Sequence, residues 1–492
     1  MSPMKIQNGQ SFSASDIEYV KGSQFIDYVA ALLSEGHRLV GIFPADEKEP
    51  RRLLAVLADP DSALFVLCAG EFETGKLTFE SMANDHPQTG YFECELAEKY
   101  GYTPVNHPWL RPVRGNTLKP SGQAYRNYRL EGDEVHEVAV GPIHAGVIEP
   151  GHFRFQCHGE KVYNLEINLG YQRRGVEKLM TETDPAKRIM LAESIAGDTV
   201  VGHAYAHCAA MESLANTQVG LRAHVIRSIA EELERTAMHL AGLGGIANDI
   251  GFALASSSYG RLRTLAINSL AALCGSRFGR GLFAYGGVRF DLDDDVIADI
   301  SGKLATVAHD VAEINDVMFS LTGALIRFEN TGTVTKETAA KIGMVGIAAR
   351  ASGLEIDTRV NRPYGAYRYS PISLLTIQSG DVFARARLRA LEMYESLRFI
   401  KEQIETIPGG KVKTETGGIK ASSGVISVVE GWRGEIMHAV FTGADGRITQ
   451  YTIKDPSFNN WHGLSAALRG TAISDFPLCN KSFDLSYAGH DL

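Results

Sequence analysis

The first 70 residues combine one amphipathic helical pattern with three short apolar runs. Phe25, Tyr28, Val29 and Leu32 recur at the spacing that places side chains on one face of a helix. The apolar runs that follow are typical of short strands, and they lie at residues 39–43, 53–57 and 64–68. This order predicts a small α+β module. A loop-rich stretch with several prolines, at about residues 106–122, separates it from the rest of the chain.

Two hairpins are predicted on either side of a long helical region. Phe153 and Phe155 alternate with polar residues on one predicted strand, and a second strand follows a turn at residues 158–160. Near the other end, Asp445-Gly446 is a dipeptide typical of a hairpin turn. The helical region therefore has short β-structure before it and after it.

The region from residue 184 to about residue 405 has a mostly helical pattern. It begins at Asp184-Pro185, a pair typical of a helix N-cap and first helical position. Apolar residues at steps of four and three predict two long helices with narrow packing seams: Ile300, Leu304, Val307, Val311, Ile314 and Met318, and Ala386, Ala390, Met393, Leu397, Ile400 and Ile404. The predicted fold class is α+β. A small N-terminal α+β domain, residues 1–120, precedes a larger domain, residues 121–492, which is mainly a helical bundle with flanking β-hairpins.

Charge and hydropathy exclude several classes of protein. With 49 Lys and Arg against 58 Asp and Glu, the net charge is −9, which argues against a primary nucleic-acid binder. No apolar run reaches the roughly 18 to 20 residues that span a bilayer, and the best one, residues 241–255, contains Asn248 and Asp249. The N-terminus has no secretory signal pattern. We therefore expect a cytosol-facing chain with no membrane span of its own.

Cysteine and histidine spacing gives little sign of a metal site. The six cysteines form no Cys-x-x-Cys pair, so neither a disulfide framework nor a thiolate site is indicated. His203 and His207 lie four residues apart on a predicted helix and could share a metal ion. Ala204 takes the position of a zinc protease's Glu, however, and the alternative is that both histidines are satisfied by hydrogen bonds or lie at an interface.

Four other titratable residues are candidates for proton transfer. His144 and His152 flank a short turn that contains glycine and proline, where the alternative is a pair of exposed loop histidines. Glu177 follows two arginines, and its alternative role is a surface ion pair. Asp249 lies in an apolar, glycine-rich helical segment, where a buried carboxylate needs partners or a shifted pKa.

Several ordered motifs resemble one known family over nearly the whole chain. They are GPIHAGVIEPGHFRF, HGEKVYNLEINLGYQRRGVEKLM, EELERTAMHLAGLGGIANDIG, DTRVNRPYGAY, GDVFARARLRALEMYESLRFI and KDPSFNNW. Together they resemble the large subunit of membrane-bound, energy-converting [NiFe]-hydrogenases and the quinone-site subunit of respiratory complex I. The motif YFECELAEKYGYTPVNHPWLRPVR is similar to the C-terminal signature of the small complex I subunit, which the formate hydrogenlyase type carries as a fused N-terminal domain. The resemblance implies a [NiFe]-hydrogenase large-subunit-like fold.

The chain departs from the hydrogenases at the metal ligands. The family holds nickel and iron with four thiolates from two Cys-x-x-Cys pairs. Ala196 and Thr199 occupy the first pair of positions, and Cys479 and Ser482 are assigned to the second. Alanine and threonine cannot replace soft thiolate ligands. We therefore expect no metal bound by this chain, no NiFe centre and no hydrogenase activity.

The resemblance to complex I implies an acceptor site with a proton path. There a quinone headgroup lies between a strand-loop histidine, here His144 or His152, and a tyrosine whose position Gly197 occupies. Asp249 matches the aspartate that partners that histidine, and Glu177 matches the glutamate that carries protons in hydrogenases.

The expected function is that of a peripheral-arm core subunit in a complex I-like, membrane-bound oxidoreductase that couples electron transfer to ion translocation. It would serve a quinone or another small acceptor, with electrons from an iron–sulfur cluster in a small partner subunit. The alternatives are a non-catalytic scaffold with a degenerate site and, third, a hydrogenase proper. The other expected partners are membrane-arm subunits, which would hold the chain on the cytoplasmic face of the inner membrane.

Overall fold

The structure, a computed structural model, describes residues 3–115, 125, 127–145 and 148–492. Its strands are β1 (Met4–Gln7), β2 (Ser11–Ser13), β3 (Val20–Lys21), β4 (Arg38–Pro44), β5 (Arg52–Ala58), β6 (Leu64–Glu71), β7 (Thr78–Glu80), β8 (Thr103–Val105), β9 (Val135–Val140), β10 (His152–His158), β11 (Lys161–Asn168), β12 (Phe283–Ala284), β13 (Gly287–Val288), β14 (Ser423–Gly431), β15 (Gly434–Thr442) and β16 (Ile448–Lys454).

The helices alternate with these strands at both ends of the chain and dominate its middle. They are α1 (Gly22–Ser34), α2 (Gly90–Glu95), α3 (Val176–Glu182), α4 (Pro185–Ala192), α5 (Val200–Leu214), α6 (Leu221–Asp249), α7 (Ala253–Cys274), α8 (Asp294–Ser320), α9 (Thr322–Phe328), α10 (Lys336–Lys341), α11 (Gly346–Ala351), α12 (Thr358–Asn361), α13 (Val382–Glu405), α14 (Pro456–Leu468), α15 (Phe476–Phe483) and α16 (Tyr487–Asp491). The predicted α+β fold class is confirmed.

The N-terminal sheet is covered on both faces. Its strands run in the order β1, β6, β5, β4, with β3 parallel to β6. One face packs on Phe25 and Val29 of α1, and the other packs on β14 and β15 through Ile426 and Met437. A strand that is buried on both faces has a continuous apolar sequence instead of an alternating one. The predicted helix and the three predicted strands are confirmed.

A second sheet joins the N-terminus to the C-terminal part of the chain. Its order is β16, β15, β14, β2, and Ser13 pairs with Ser423. The turn predicted at Asp445-Gly446 is confirmed, because it joins β15 to β16. The sequence pattern did not predict β14, whose nine residues are all buried and show no alternation.

A long bundle occupies the centre of the molecule. Helix α6 packs against α7 and α13, and α8 packs against α7 and α13. The two predicted seams are confirmed, since the residues of both seams are buried in α8 and α13. Asp184 caps α4 as predicted, because its carboxylate accepts a hydrogen bond of 2.8 Å from the Ala186 backbone N–H.

The hairpin of β10 and β11 is also confirmed, and β9 extends it to three strands. The predicted boundary between residues 120 and 121 lies outside the described residues, so the division into two domains stays a prediction. In the part of the chain that the structure describes, no helix is both long enough and apolar enough to cross a membrane.

Candidate functional site

Two backbone segments face each other near the C-terminus: residues 194–199, between α4 and α5, and residues 484–491, which include α16. The guanidinium of Arg174 joins them, because it donates to the carbonyl oxygens of Ile195 at 2.8 Å and Ala488 at 2.9 Å. The first segment is the one in which the sequence placed two missing metal ligands.

A second arginine joins the same segments from the sheet. Arg433, in the turn between β14 and β15, donates to both carboxylate oxygens of Asp198, at 2.7 and 2.8 Å. It also donates to Thr199 Oγ1 at 3.1 Å and to the carbonyl oxygen of Asp484 at 2.5 Å. Trp432 donates its indole N–H to the Asp198 carbonyl at 2.8 Å. Arg433, through its ion pair with Asp198 and its bond to Asp484, therefore joins the two segments.

His144 lies at the edge of this region, beside Tyr487. Its Nε2 is 3.3 Å from the Tyr487 hydroxyl, and its ring contacts Phe153 edge to face. Burial raises the pKa of Tyr487 to about 12, so the phenol remains protonated at neutral pH. The Glu149 carboxylate accepts backbone hydrogen bonds from Tyr487 and Ala488, which joins residue 149 to α16.

His152 lies apart from this pair. It is the first residue of β10, so its side chain points to the opposite face of the strand from Phe153. On that face it neighbours Arg154, which donates a hydrogen bond to the carboxylate of Glu137 in β9. The structure thus brings one of the two loop histidines, His144, to Tyr487 and leaves the other on the opposite face of β10.

Asp249 ends α6 and is half-buried. Its Oδ2 atom is buried without a hydrogen-bond partner, and burial raises the pKa of the carboxyl while the charge of Lys481 lowers it. Lys481 lies on α15, and Asn480 of the same helix hydrogen-bonds Tyr487. The charged neighbour of Asp249 is therefore Lys481 and not a loop histidine. Helix α15 nevertheless contacts both Asp249 and Tyr487.

Glu177 is a buried, ionised carboxylate between three parts of the molecule. Lys99 donates to it at 2.5 Å, and the Ile453 backbone N–H donates at 2.9 Å. Burial alone would raise the pKa of Glu177, but the charges of Lys99 and Arg114 lower it below its ordinary value. With Lys99, Arg114 and Arg173 it lines a cavity of about 560 Å³.

His203 and His207 have separate hydrogen-bond partners. His203 contacts Asp455 and His438, whereas His207 contacts two tyrosine hydroxyls. Among the residues that the structure describes, no group of three or more His, Cys, Asp or Glu side chains is placed to hold a metal ion.

A larger buried charge network was missed by the sequence reasoning. It links α6 to α13, β14 and residues 350–359 through three arginines and three carboxylates of lowered pKa: Arg235, Arg350, Arg359, Glu232, Asp357 and Glu392. The EELER run that contributes two of these residues indicates a solvated helix face when it is read alone.

Comparisons with known proteins identify the family. The profile of the respiratory-chain NADH dehydrogenase 49-kDa subunit matches residues 249–424. The C/D subunit of NADH-quinone oxidoreductase from Bacteroides fragilis is 30% identical over 376 residues, which cover 75% of this chain and 70% of that protein. This chain belongs to the 49-kDa subunit family.

The resemblance to energy-converting hydrogenases is confirmed as well. Formate hydrogenlyase subunit 5 of Escherichia coli (strain K12) is 29% identical over 444 residues, covering 86% of this chain and 78% of that protein. The alpha subunit of the membrane-bound hydrogenase from Pyrococcus furiosus is 29% identical over 365 residues, covering 71% and 85%.

The donor set of this 49-kDa family member does not fit a NiFe centre. Ala196 offers no ligand atom, and the Thr199 hydroxyl is bonded to Arg433. Cys479 lies toward α13, where a Cβ on Gly332 would meet its sulfur at 2.3 Å and where Arg385 donates to Ser482 Oγ at 2.8 Å. Burial raises the pKa of the Cys479 thiol to about 11, so it is not a thiolate at neutral pH.

The segment that faces Ala196 is residues 484–491 and contains no cysteine. A NiFe centre needs four thiolate ligands, and neither residues 194–199 nor residues 484–491 supply one.

Proposed function

We propose that this chain, as a core subunit of a membrane-bound oxidoreductase complex of the 49-kDa family type, forms a site that reduces a quinone or another small carbonyl acceptor. The observation that carries the proposal is the contact between His144 and Tyr487. A quinone headgroup is bound in proteins through hydrogen bonds to its two oxygens, and an imidazole N–H and a phenol O–H are suitable donors. Tyr487 supplies the phenol that Gly197 lacks at the expected position.

Reduction of a quinone takes two electrons and two protons. Within this chain the six cysteines are free and buried, far apart in sequence, so they do not offer a cluster site. The electrons would come from an iron–sulfur cluster in a small partner subunit, and membrane-arm subunits would hold the assembly at the membrane. His144 and Tyr487 would donate the first hydrogen bonds, and Asp249, whose pKa burial raises, would supply a proton through the α15 side of the site.

A second candidate function is that of a non-catalytic scaffold. It is favoured by the contacts of Arg174 and Arg433. Their guanidinium groups already join the two segments through bonds to backbone carbonyls and to the Asp198 carboxylate. In that case the chain would transmit movement between partner subunits without binding an acceptor itself.

The test uses the complex purified through this subunit. His144→Gln removes a side chain that can carry a proton, and Tyr487→Phe removes a hydrogen-bond donor, while both keep the approximate side-chain size. His152→Gln is the matched control on the opposite face of β10. Under the acceptor-site proposal, the first two lower quinone reduction by roughly 100-fold, the scale of a lost general acid, and the control does not. Normal reduction in all three variants, with normal assembly, would leave only the scaffold function.

A further inference from the structure

A row of hydrogen-bonded side chains crosses the interior between α5 and the sheet of β14, β15 and β16. We call it the relay, and its members in order are Asp455, His203, His438, Tyr451, His207 and Tyr285. The donor–acceptor distances from one member to the next are 3.1, 3.1, 2.8, 2.7 and 2.9 Å. Every member between the two ends can both donate and accept a hydrogen bond.

The positions of the relay residues follow from regular structure. His203 and His207 lie one turn apart on α5, so both rings face the sheet. His438 on β15 and Tyr451 on β16 are diagonal neighbours, since His438 pairs with Ile453 and Val440 with Tyr451. The two side-chain rows therefore interleave.

The two ends of the relay lie in different surroundings. Tyr285 is partly exposed, and its hydroxyl also lies 3.0 Å from the carbonyl oxygen of Pro185. Asp455, at the other end, is 1% exposed. A Cβ on Gly489 would lie 2.7 Å from the Asp455 carboxylate, so the inner end lies directly under α16, which carries Tyr487.

The hydrogen bonds of the relay are compatible with two arrangements of protons. In the first, every donor points inward, from Tyr285 toward the ionised Asp455, and all three imidazoles are neutral. In the second, every donor from His203 to His207 points outward, His203 is protonated on both nitrogens, and Tyr285 donates to Pro185. All five links are satisfied in both arrangements without movement of a heavy atom. The two arrangements differ by one proton.

We propose that the relay conducts protons between the solvent at Tyr285 and the acceptor site beneath α16. This inference rests on the proposed function, because the inner end has a use only if an acceptor there takes up protons. Neither the His203–His207 spacing nor the 49-kDa family comparison assigns such a path to these residues.

The transfer balances bond by bond. A proton that reaches the Tyr285 oxygen releases the phenol proton to Nε2 of His207, and His207 then passes its Nδ1 proton to Tyr451. Tyr451 passes its proton to Nδ1 of His438, which passes its Nε2 proton to Nδ1 of His203. His203 then passes its Nε2 proton to the Asp455 carboxylate, which becomes ionised again when the acceptor takes up that proton. Each broken O–H or N–H bond is replaced by the next one formed, and no electron moves.

The electrostatics favour transfer of a proton along the relay over its retention on the middle members. Burial lowers the pKa of His207 to about 3, lowers that of His438 and raises that of Tyr451, so the middle members are neutral at rest. At the inner end, Asp455 is ionised: burial would raise its pKa, but His203 and Arg433 lower it.

The experiment interrupts the relay at its middle and at its surface end in the purified complex. Tyr451→Phe removes the hydroxyl between His438 and His207, and the matched control Tyr259→Phe removes a buried hydroxyl that bonds Asn315 outside the relay. We expect Tyr451→Phe to lower quinone reduction by tenfold or more and to raise the ratio of rates in H₂O and D₂O, because proton transfer becomes limiting. The control keeps both values.

The surface end gives a test that does not depend on tolerance of a core mutation. Tyr285→Ala opens a path from solvent to Nε2 of His207, so added imidazole buffer should restore its turnover in proportion to the buffer concentration. A structural role would show no such rescue. Buffer-independent turnover in Tyr285→Ala, together with an unchanged isotope ratio in Tyr451→Phe, would overturn the relay.

The outcomes separate the relay from the proposed function. If His144→Gln and Tyr487→Phe lower turnover while both relay variants are normal, the relay fails and the acceptor site stands. If neither pair of variants lowers turnover, both proposals fail.

Discussion

Arg433 and Asp198 form a two-point ion pair where the 194–199 segment meets the C-terminal segment, with N–O distances of 2.7 and 2.8 Å. Arg433→Gln would remove the pair and leave the Asp484 carbonyl without this donor. We expect a loss of about 2 kcal/mol in the free energy of unfolding, the scale for a few hydrogen bonds to a charged group, measured by urea denaturation.

Arg433→Lys is the control for this change, since it keeps the charge but loses the planar fork. It should recover only part of the stability, because lysine cannot bond both carboxylate oxygens in the same geometry. Equal stability of the wild type and the two Arg433 variants would show that the Arg433–Asp198 pair does not hold the segments together.

Nickel should be absent from the complex in stoichiometric amount. Ala196 and Thr199 provide no thiolate, and Cys479 is a protonated thiol beside Arg385. Elemental analysis of the purified complex would check this directly. About one nickel per chain would contradict the prediction and restore the hydrogenase alternative.

Asp249→Asn should lower turnover by roughly 100-fold, since the amide keeps the shape but cannot release a proton. Asp316→Asn, an exposed aspartate on α8, is the matched control and should be neutral. Both are measured as quinone reduction by the purified complex after its assembly has been checked by gel filtration.

The charge of Lys481 should set the pH dependence of the same step. Burial raises the pKa of Asp249, whereas Lys481 and the Asn248 hydrogen bond lower it. Lys481→Met removes one lowering effect, so the pKa should rise further and the limb of the pH–rate profile that follows it should move to higher pH. A profile that stays fixed in Lys481→Met would show that another group controls it.

Glu177→Gln should destabilise the protein by about 3 to 5 kcal/mol, the usual result of removing one partner from a buried pair, here Lys99. The folded pKa of Glu177 lies below its ordinary value of 4.5, so this contribution is complete above that value and is lost as the pH falls through the folded pKa. Unfolding measurements from pH 3 to 7 should therefore show the two proteins converging in acid.

The control for this prediction is Glu182→Gln on the exposed end of the same helix, which should change stability little at any pH. A Glu177→Gln protein as stable as wild type at pH 7 would argue against a stabilising role of the buried Glu177–Lys99 pair. Lost turnover at normal stability would instead support the proton-carrying role that the resemblance implies.

The sequence predicted what depends on local pattern. The seams of α8 and α13 have a helical period, Asp184-Pro185 is a local cap, and the apolar runs of β4 to β6 are short and bounded by turns, so each was found without tertiary information. Strand β14 was missed because burial on both faces removes its alternation.

Much of the candidate site depends on contacts that sequence separation conceals. His144 and Tyr487 are 343 residues apart, and His203 and His438 are 235 apart, so no spacing rule joins them. The visible signal for the relay was limited to the i, i+4 spacing of His203 and His207. That spacing is compatible with a metal site, but Ala204 at the position of the protease glutamate favoured satisfied or interface histidines.

During synthesis, β2 can pair with β14 only after most of the chain has been made. Ser13 must find Ser423, and at about 5 to 20 residues per second the ribosome needs roughly 20 to 80 s to make the chain between them. Until then the side of the N-terminal sheet that carries Phe43 has no cover from β14 and β15. The nascent chain therefore exposes this apolar face for most of its time on the ribosome, and transiently exposed apolar surface is prone to aggregation.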